Sequence, residues 1–171
     1  MLRPIVASLL LIAAAAPAQD RNPLIDYAGF QRLTRDVSSY RSTRLISWNQ
    51  FEQAARQPEA LVLDARSADA YAAGHIKGAV NLPFTDFTAS SLARVIGSKD
   101  RPILIYCNNN FVNNRPPVQT KMIRLALNIQ TFINLVGYGY RNVYELKDVV
   151  DFNDPKVHWV KGSPPRPAKA G

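Results

Sequence analysis

The chain has 171 residues, 47% of them hydrophobic and 20% charged, with 21 Lys and Arg against 13 Asp and Glu for a formal charge of +8. That length suits one ordinary globular domain, and the apolar share excludes a long disordered chain, which has too little surface to bury. The single cysteine, Cys107, excludes an internal disulfide framework and a multi-cysteine zinc site.

The chain opens on Arg3, an apolar run from Ile5 to Ala16 broken only by Ser8, and the triplet Ala16-Pro17-Ala18. A positive start, a short apolar stretch and a small-x-small site mark an export signal, residues 1–18. The run is shorter than the roughly 20 residues that a membrane-crossing helix needs. Cleavage near Ala18, leaving no integral membrane segment, is therefore the expectation; retention as an anchor is the alternative. The Ala-x-Ala site points to a bacterial periplasmic or secreted protein. Cleavage removes one Arg and no acid, so the chain stays basic.

Residues 19–43 are polar with scattered Arg and read as a loosely packed N-terminal extension. A short strand is expected at Leu45-Ile46. Ser47 then caps a helix running to about Arg56, with Phe51, Ala54 and Ala55 inward. Leu61-Val62-Leu63 is a short apolar run suited to a strand buried on both faces. Ser67 caps a brief helix through Ala73, which Gly74 ends. Ala79-Val80-Asn81 is a strand stopped by Pro83, and a helix is predicted over Thr85 to Ile96, with Phe87, Leu92, Val95 and Ile96 on one face. Pro102 to Tyr106 is the strongest buried-strand signal in the chain.

An Asn-rich loop from Cys107 to about Pro117 follows, then a mostly helical stretch from Val118 to Val136. Asn142 to Leu146 is the last predicted strand. Residues 151–171 read as a C-terminal extension, disordered from Gly162 through Pro164, Pro165 and Pro167. Strands alternating with helices imply a parallel sheet covered on both faces. Ligands of such sheets sit beyond the carboxyl ends of the strands, where Cys107 lies.

The segment from Asp64 to Pro83 resembles the signature of the rhodanese (sulfurtransferase) family, D-x-R-x-x-x-x-Y-x-x-G-H-I-x-G-A-x-N-x-P. Asp64, Arg66, Tyr71, Gly74, His75, Ile76, Gly78, Ala79, Asn81 and Pro83 fall in register. Gly139-Tyr140-Arg141-Asn142-Val143-Tyr144-Glu145-Leu146 is similar to the family's G-Y-x-N-V-x-x-L strand. The resemblance covers residues 44–150 and implies one α/β domain, a five-stranded parallel sheet with helices on both faces. Asp64 and Arg66 then read as a structural ion pair, and His75 as part of the structural motif rather than a catalytic base. Gly74 and Gly78 read as positions needing backbone freedom.

Tyr106-Cys107 matches the place of the family's catalytic cysteine. The resemblance implies that the Cys107 thiolate takes the outer sulfur of a small anionic donor such as thiosulfate. It then passes that sulfur from a persulfide to a thiol or cyanide. No metal and no organic cofactor is called for. The loop departs from the usual C-x-x-G-x-R: Asn110 holds the Gly position and Val112 the Arg position. The C-x5-R spacing of related phosphatases fails as well, because Asn113 stands where its Arg should be.

Asn108, Asn109 and Asn110, with Arg115, are the candidate anion-binding residues, since Asn donates hydrogen bonds and tolerates left-handed backbone. Two readings follow. One is an exported sulfurtransferase with Cys107 as persulfide carrier. The alternative is a catalytically inactive module that binds an anion or a protein partner. The basic residues Arg32, Arg35, Arg41 and Arg44 accompany no nucleic-acid motif, so nucleic acid is not an expected partner.

Overall fold

The computed structural model describes residues 22–162. The expected signal, residues 1–18, and the tail from residue 163 lie outside the described residues. In chain order the elements are α1 (Tyr27–Ser42), β1 (Leu45–Ile46), α2 (Trp48–Ala55), β2 (Leu61–Asp64), α3 (Ala68–Ala73), β3 (His75–Ile76), β4 (Val80–Asn81), α4 (Ala89–Ile96), β5 (Ile103–Tyr106), α5 (Leu127–Gly137), β6 (Val143–Leu146) and β7 (Trp159–Val160). Five strands form one sheet in the order β1-β6-β5-β2-β4, and every pairing in it is parallel.

The strands are buried because side chains alternate across the sheet. Leu61, Leu63, Ile103, Ile105 and Val143 enter one core with Val37 of α1, Leu92 and Ile96 of α4, and Phe132 and Leu135 of α5. Val62, Leu104, Tyr106 and Leu146 enter the other, with Phe51 of α2 and Tyr71 of α3. A sheet apolar on both sides needs cover on both, which explains the unbroken runs at residues 61–63 and 103–105.

The caps act as the sequence suggests. The Ser47 side chain accepts from the Gln50 N–H, and the Gln50 side chain returns a bond to the Ser47 N–H. The Ser67 side chain accepts from Ala70 N–H at the start of α3.

Four expectations change. Residues 27–42 are a sixteen-residue helix and not a loose leader. Asp26 caps it through the Gly29 N–H, and Leu33, Val37 and Tyr40 turn inward against the α5 face. The predicted helix over 85–96 divides: residues 84–86 make a 3-10 turn, and α4 begins only after Thr88, whose hydroxyl caps it with Ser91. The predicted helix over 118–136 shrinks to α5, because residues 119–121 give their backbone groups to the Asn loop instead. Finally, the C-terminal extension returns to the domain. Trp159–Val160 pairs antiparallel with His75–Ile76 in a second, two-stranded sheet.

That ribbon explains Gly74. Its backbone is extended, and the Trp159 ring lies so close that an added Cβ would meet Nε1 at 2.2 Å. Gly78, by contrast, does take the left-handed backbone that favours glycine, with φ 85°.

Candidate functional site

The strand ends converge on one buried network. The Asp64 carboxylate takes Arg66 Nε at 2.9 Å and Nη2 at 2.5 Å. Tyr106 OH donates to Asp64 Oδ2 at 2.5 Å and accepts from the Ile76 N–H at 3.2 Å. Arg66 Nη2 also donates to the Gly74 carbonyl, and its guanidinium sits between the rings of Tyr106 and Trp159. Burial opposes the Arg66 charge, but its bonds to Asp64 and that carboxylate's field prevail and hold it protonated beyond the ordinary Arg value. Burial, with the Asp64 charge beside it, pushes the Tyr106 hydroxyl well above the usual phenol range.

His75 belongs to the same frame. Its ring stacks on Tyr71 at 3.6 Å, and Nδ1 bonds the Tyr71 carbonyl. Asn81 Nδ2 donates to the Asp64 and Arg66 carbonyls. The signature residues are therefore internal fasteners of the β2 end: most of the polar groups they bury have partners from the same segment or from β5, and Arg66 Nη1 reaches the Pro117 carbonyl.

Cys107 leaves β5 at the carboxyl end of the sheet and is 1% exposed. Burial pushes its thiol up from the ordinary value. The backbone N–H groups of Asn128, Asn109 and Leu127 pull the other way by favouring the charged sulfur, and the Glu145 carboxylate adds to the rise. Two of those three N–H groups open α5, where the helix dipole favours negative charge. The cradle is thus built for an anionic sulfur, inside surroundings dry enough to resist forming one.

The Asn loop is knitted into the protein. Asn108 Nδ2 donates to the Gln119 carbonyl, and Asn109 exchanges bonds with both backbone groups of Lys121. Asn113 donates to Asp151 and accepts from the Phe152 N–H. Asn114 takes left-handed backbone, φ 37°, and accepts from the Thr120 N–H. Asn110 is buried and holds four groups. It accepts from Cys107 N–H and Asn128 Nδ2, both at 2.9 Å, and donates to the carbonyls of Leu146 at 2.7 Å and Asp148 at 3.0 Å.

The side-chain amides expected to face an anion are thus turned to backbone partners, because a loop of this length needs its own carbonyl and amide groups satisfied. Arg115 stacks over Phe152 and reaches Asn153, and Val112 at the family's Arg position is 60% exposed. What the structure brings to the sulfur is backbone N–H.

Sequence reasoning overlooked two groups. Glu145 is buried in β6, and both its oxygens take Arg41 of α1, Nε at 2.7 Å and Nη2 at 2.6 Å. An acid inside an otherwise apolar strand was a legible signal; its partner, 104 residues earlier, was not. Asn128 is buried too, with Oδ1 left without a partner. Among the described residues no group of His, Cys, Asp and Glu could hold a metal ion, and no helix is long and apolar enough to cross a membrane.

A signature knotted at the β2 end and a cysteine cradled by amides after the central strand define a sulfurtransferase-like fold. The family model for the rhodanese-like domain matches residues 47–148, and the chain belongs to that family. Solved structures with a similar fold include the Alr3790 protein from Anabaena sp., 22% identical over 60% of this chain and 69% of that one, with a TM-score of 0.45. A Rhodanese_3-like domain of the same Anabaena protein is 25% identical over 51% of this chain and 74% of its own, with a TM-score of 0.38. EanB is 22% identical over 66% of this chain, with a TM-score of 0.46, and this chain covers 25% of it.

Proposed function

We propose that this protein is an exported sulfurtransferase that carries sulfane sulfur on Cys107. The reading rests on membership of the rhodanese-like family together with one observation: Cys107 follows β5 at the carboxyl end of the sheet, next to the start of α5, where the backbone amides of Asn109, Leu127 and Asn128 favour a charged sulfur. The thiolate attacks the outer sulfur of thiosulfate, a new S–S bond forms, and sulfite leaves with the electron pair of the old one. The persulfide then gives its outer sulfur to cyanide or a thiolate, and the Cys107 thiolate returns. The charge on the outer persulfide sulfur falls within reach of the amide cradle, which stabilises it without any side-chain cation.

The basic balance of the chain draws anionic donors toward it. Export rests on Arg3, the apolar run from Ile5 to Ala16 and the Ala16-Pro17-Ala18 site, and N-terminal sequencing of the exported protein should begin at Gln19.

The test of catalysis is mass spectrometry after incubation with thiosulfate. The expected result is one added sulfur atom on the parent chain and none on Cys107→Ser. No adduct with any sulfane donor refutes it. The second reading, a binding module without turnover, is favoured by the closed sulfur and by Val112 at the Arg position. It predicts unchanged anion or protein binding in Cys107→Ala.

A further inference from the structure

The Arg41–Glu145 pair couples α1 to the cysteine. Glu145 is 5% exposed, and it is fully engaged by the Arg41 fork at 2.6 to 2.7 Å. Arg41 sits in the last turn of α1, ahead of the residues 47–148 that the family model matches. Glu145 pairs with Ile105 in the β5–β6 register. Partners in a parallel pair share a face, and the period of two returns to that face at Cys107. With adjacent strands about 4.8 Å apart and a rise of about 3.3 Å per residue, such diagonal positions stand roughly 8 Å apart along the backbone. The carboxylate is therefore a negative charge on the same face as Cys107, one strand away, in surroundings where charges act far more strongly than in water. Its field accordingly bears on the thiol.

The other elements around Cys107 bring little charge of their own. Neither β1 nor α5 has a charged residue. At the end of β2, Asp64 and the following Arg66 satisfy each other, together with Tyr106, on the opposite face of the sheet. Lys121 and Arg124 are exposed ahead of α5. Just past α1, Arg44 is held between the rings of Tyr40 and Tyr144, while Arg35 and Asp36 on the helix are exposed.

We propose that Arg41 and Glu145 are positioning residues through which the helix ahead of the family domain sets the reactivity of Cys107. With the pair intact, the carboxylate is largely offset. Without Arg41 it opposes a negative sulfur alone. Without its charge, the amide cradle acts unopposed. The inference rests on the reading of Cys107 as the reactive sulfur, but its test needs no sulfur transfer.

The experiment is iodoacetamide alkylation of Cys107, the one cysteine of the chain, followed by mass spectrometry across a pH series spanning thiol ionisation. Glu145→Gln should speed neutral-pH alkylation about fivefold and move the profile to lower pH, because a like charge near the sulfur is gone. Arg41→Gln should slow it by a similar factor and move the profile up, and Arg41→Lys should restore the parent midpoint.

A mere loosening of the fold speeds alkylation in both single variants, so their opposite signs distinguish coupling from damage. Profiles that coincide with the parent, or that shift in one common direction, overturn the proposal. Where Arg41→Gln does not fold, Glu145→Gln is read against Val37→Ala, which loosens α1 and leaves the charge pair in place, and a shift no larger than that control's overturns the proposal. A missing thiosulfate adduct in these same proteins refutes the transferase reading and leaves the alkylation profiles intact, so the two fail separately.

Discussion

Replacing Asn110 with Ala removes a side chain that holds four groups at once: the Cys107 N–H, the Asn128 amide, and the Leu146 and Asp148 carbonyls. A buried hydrogen bond contributes about 1 kcal/mol net, and a partner left unsatisfied costs more. Water can reach the partly buried Asp148 carbonyl, so its loss counts least. The variant should therefore lose about 3 kcal/mol, against the 5–15 kcal/mol that holds a typical domain. Urea titration of the full chain measures this directly as a lower midpoint with an unchanged slope.

Asn110→Asp sharpens the test. It keeps the two acceptor positions but turns a carboxylate toward two carbonyls. It should be at least as damaging at neutral pH, and it should recover stability as acid protonates the new group. A stability loss below about 1 kcal/mol with weakened thiosulfate binding would instead give Asn110 the role of a ligand.

Asp64→Asn leaves the Arg66 guanidinium buried without its carboxylate and should cost about 3–5 kcal/mol, seen as a much lower melting temperature. A melting point near the parent's would mean that the network is not what fastens the β2 end. Gly74→Ala drives a Cβ into the Trp159 ring and should displace the β3–β7 ribbon, read as a red shift and quenching of tryptophan emission. An unchanged spectrum would contradict the contact. Burial raises the pKa of both Cys107 and Tyr106 in the folded chain. Each therefore adds stability that is full below the ordinary thiol and phenol ranges and is lost as pH climbs through the raised values. Denaturant titrations in an alkaline series should show that decline, and Cys107→Ser should flatten its earlier part.

The two strands at the centre of the sheet, residues 61–64 and 103–106, were legible because a strand buried on both faces must be apolar throughout. The caps at Ser47 and Ser67 were legible because they act within one helical turn. The Asp64 to Pro83 signature was legible for a related reason. Most of its bonds close over a few residues, as between Asp64 and Arg66 or Tyr71 and His75. The α1 helix was missed because its inward stripe is thin and its anchor, Glu145, lies 104 residues away. The end of the predicted helix at 118–122 was misread for the complementary reason: the loop asparagines compete for the same backbone groups.

By itself the sequence determined the family, the parallel order of strand and helix, and the position of the lone cysteine at a strand end. Those features depend on local periodicity and on motifs that close nearby in the chain. The tertiary structure alone decided what surrounds that cysteine: amides from the start of α5, a carboxylate from β6, and an arginine from a helix ahead of the domain. It also decided that the asparagines face inward to the backbone, since a hydrogen bond across the fold leaves no period in the sequence to read.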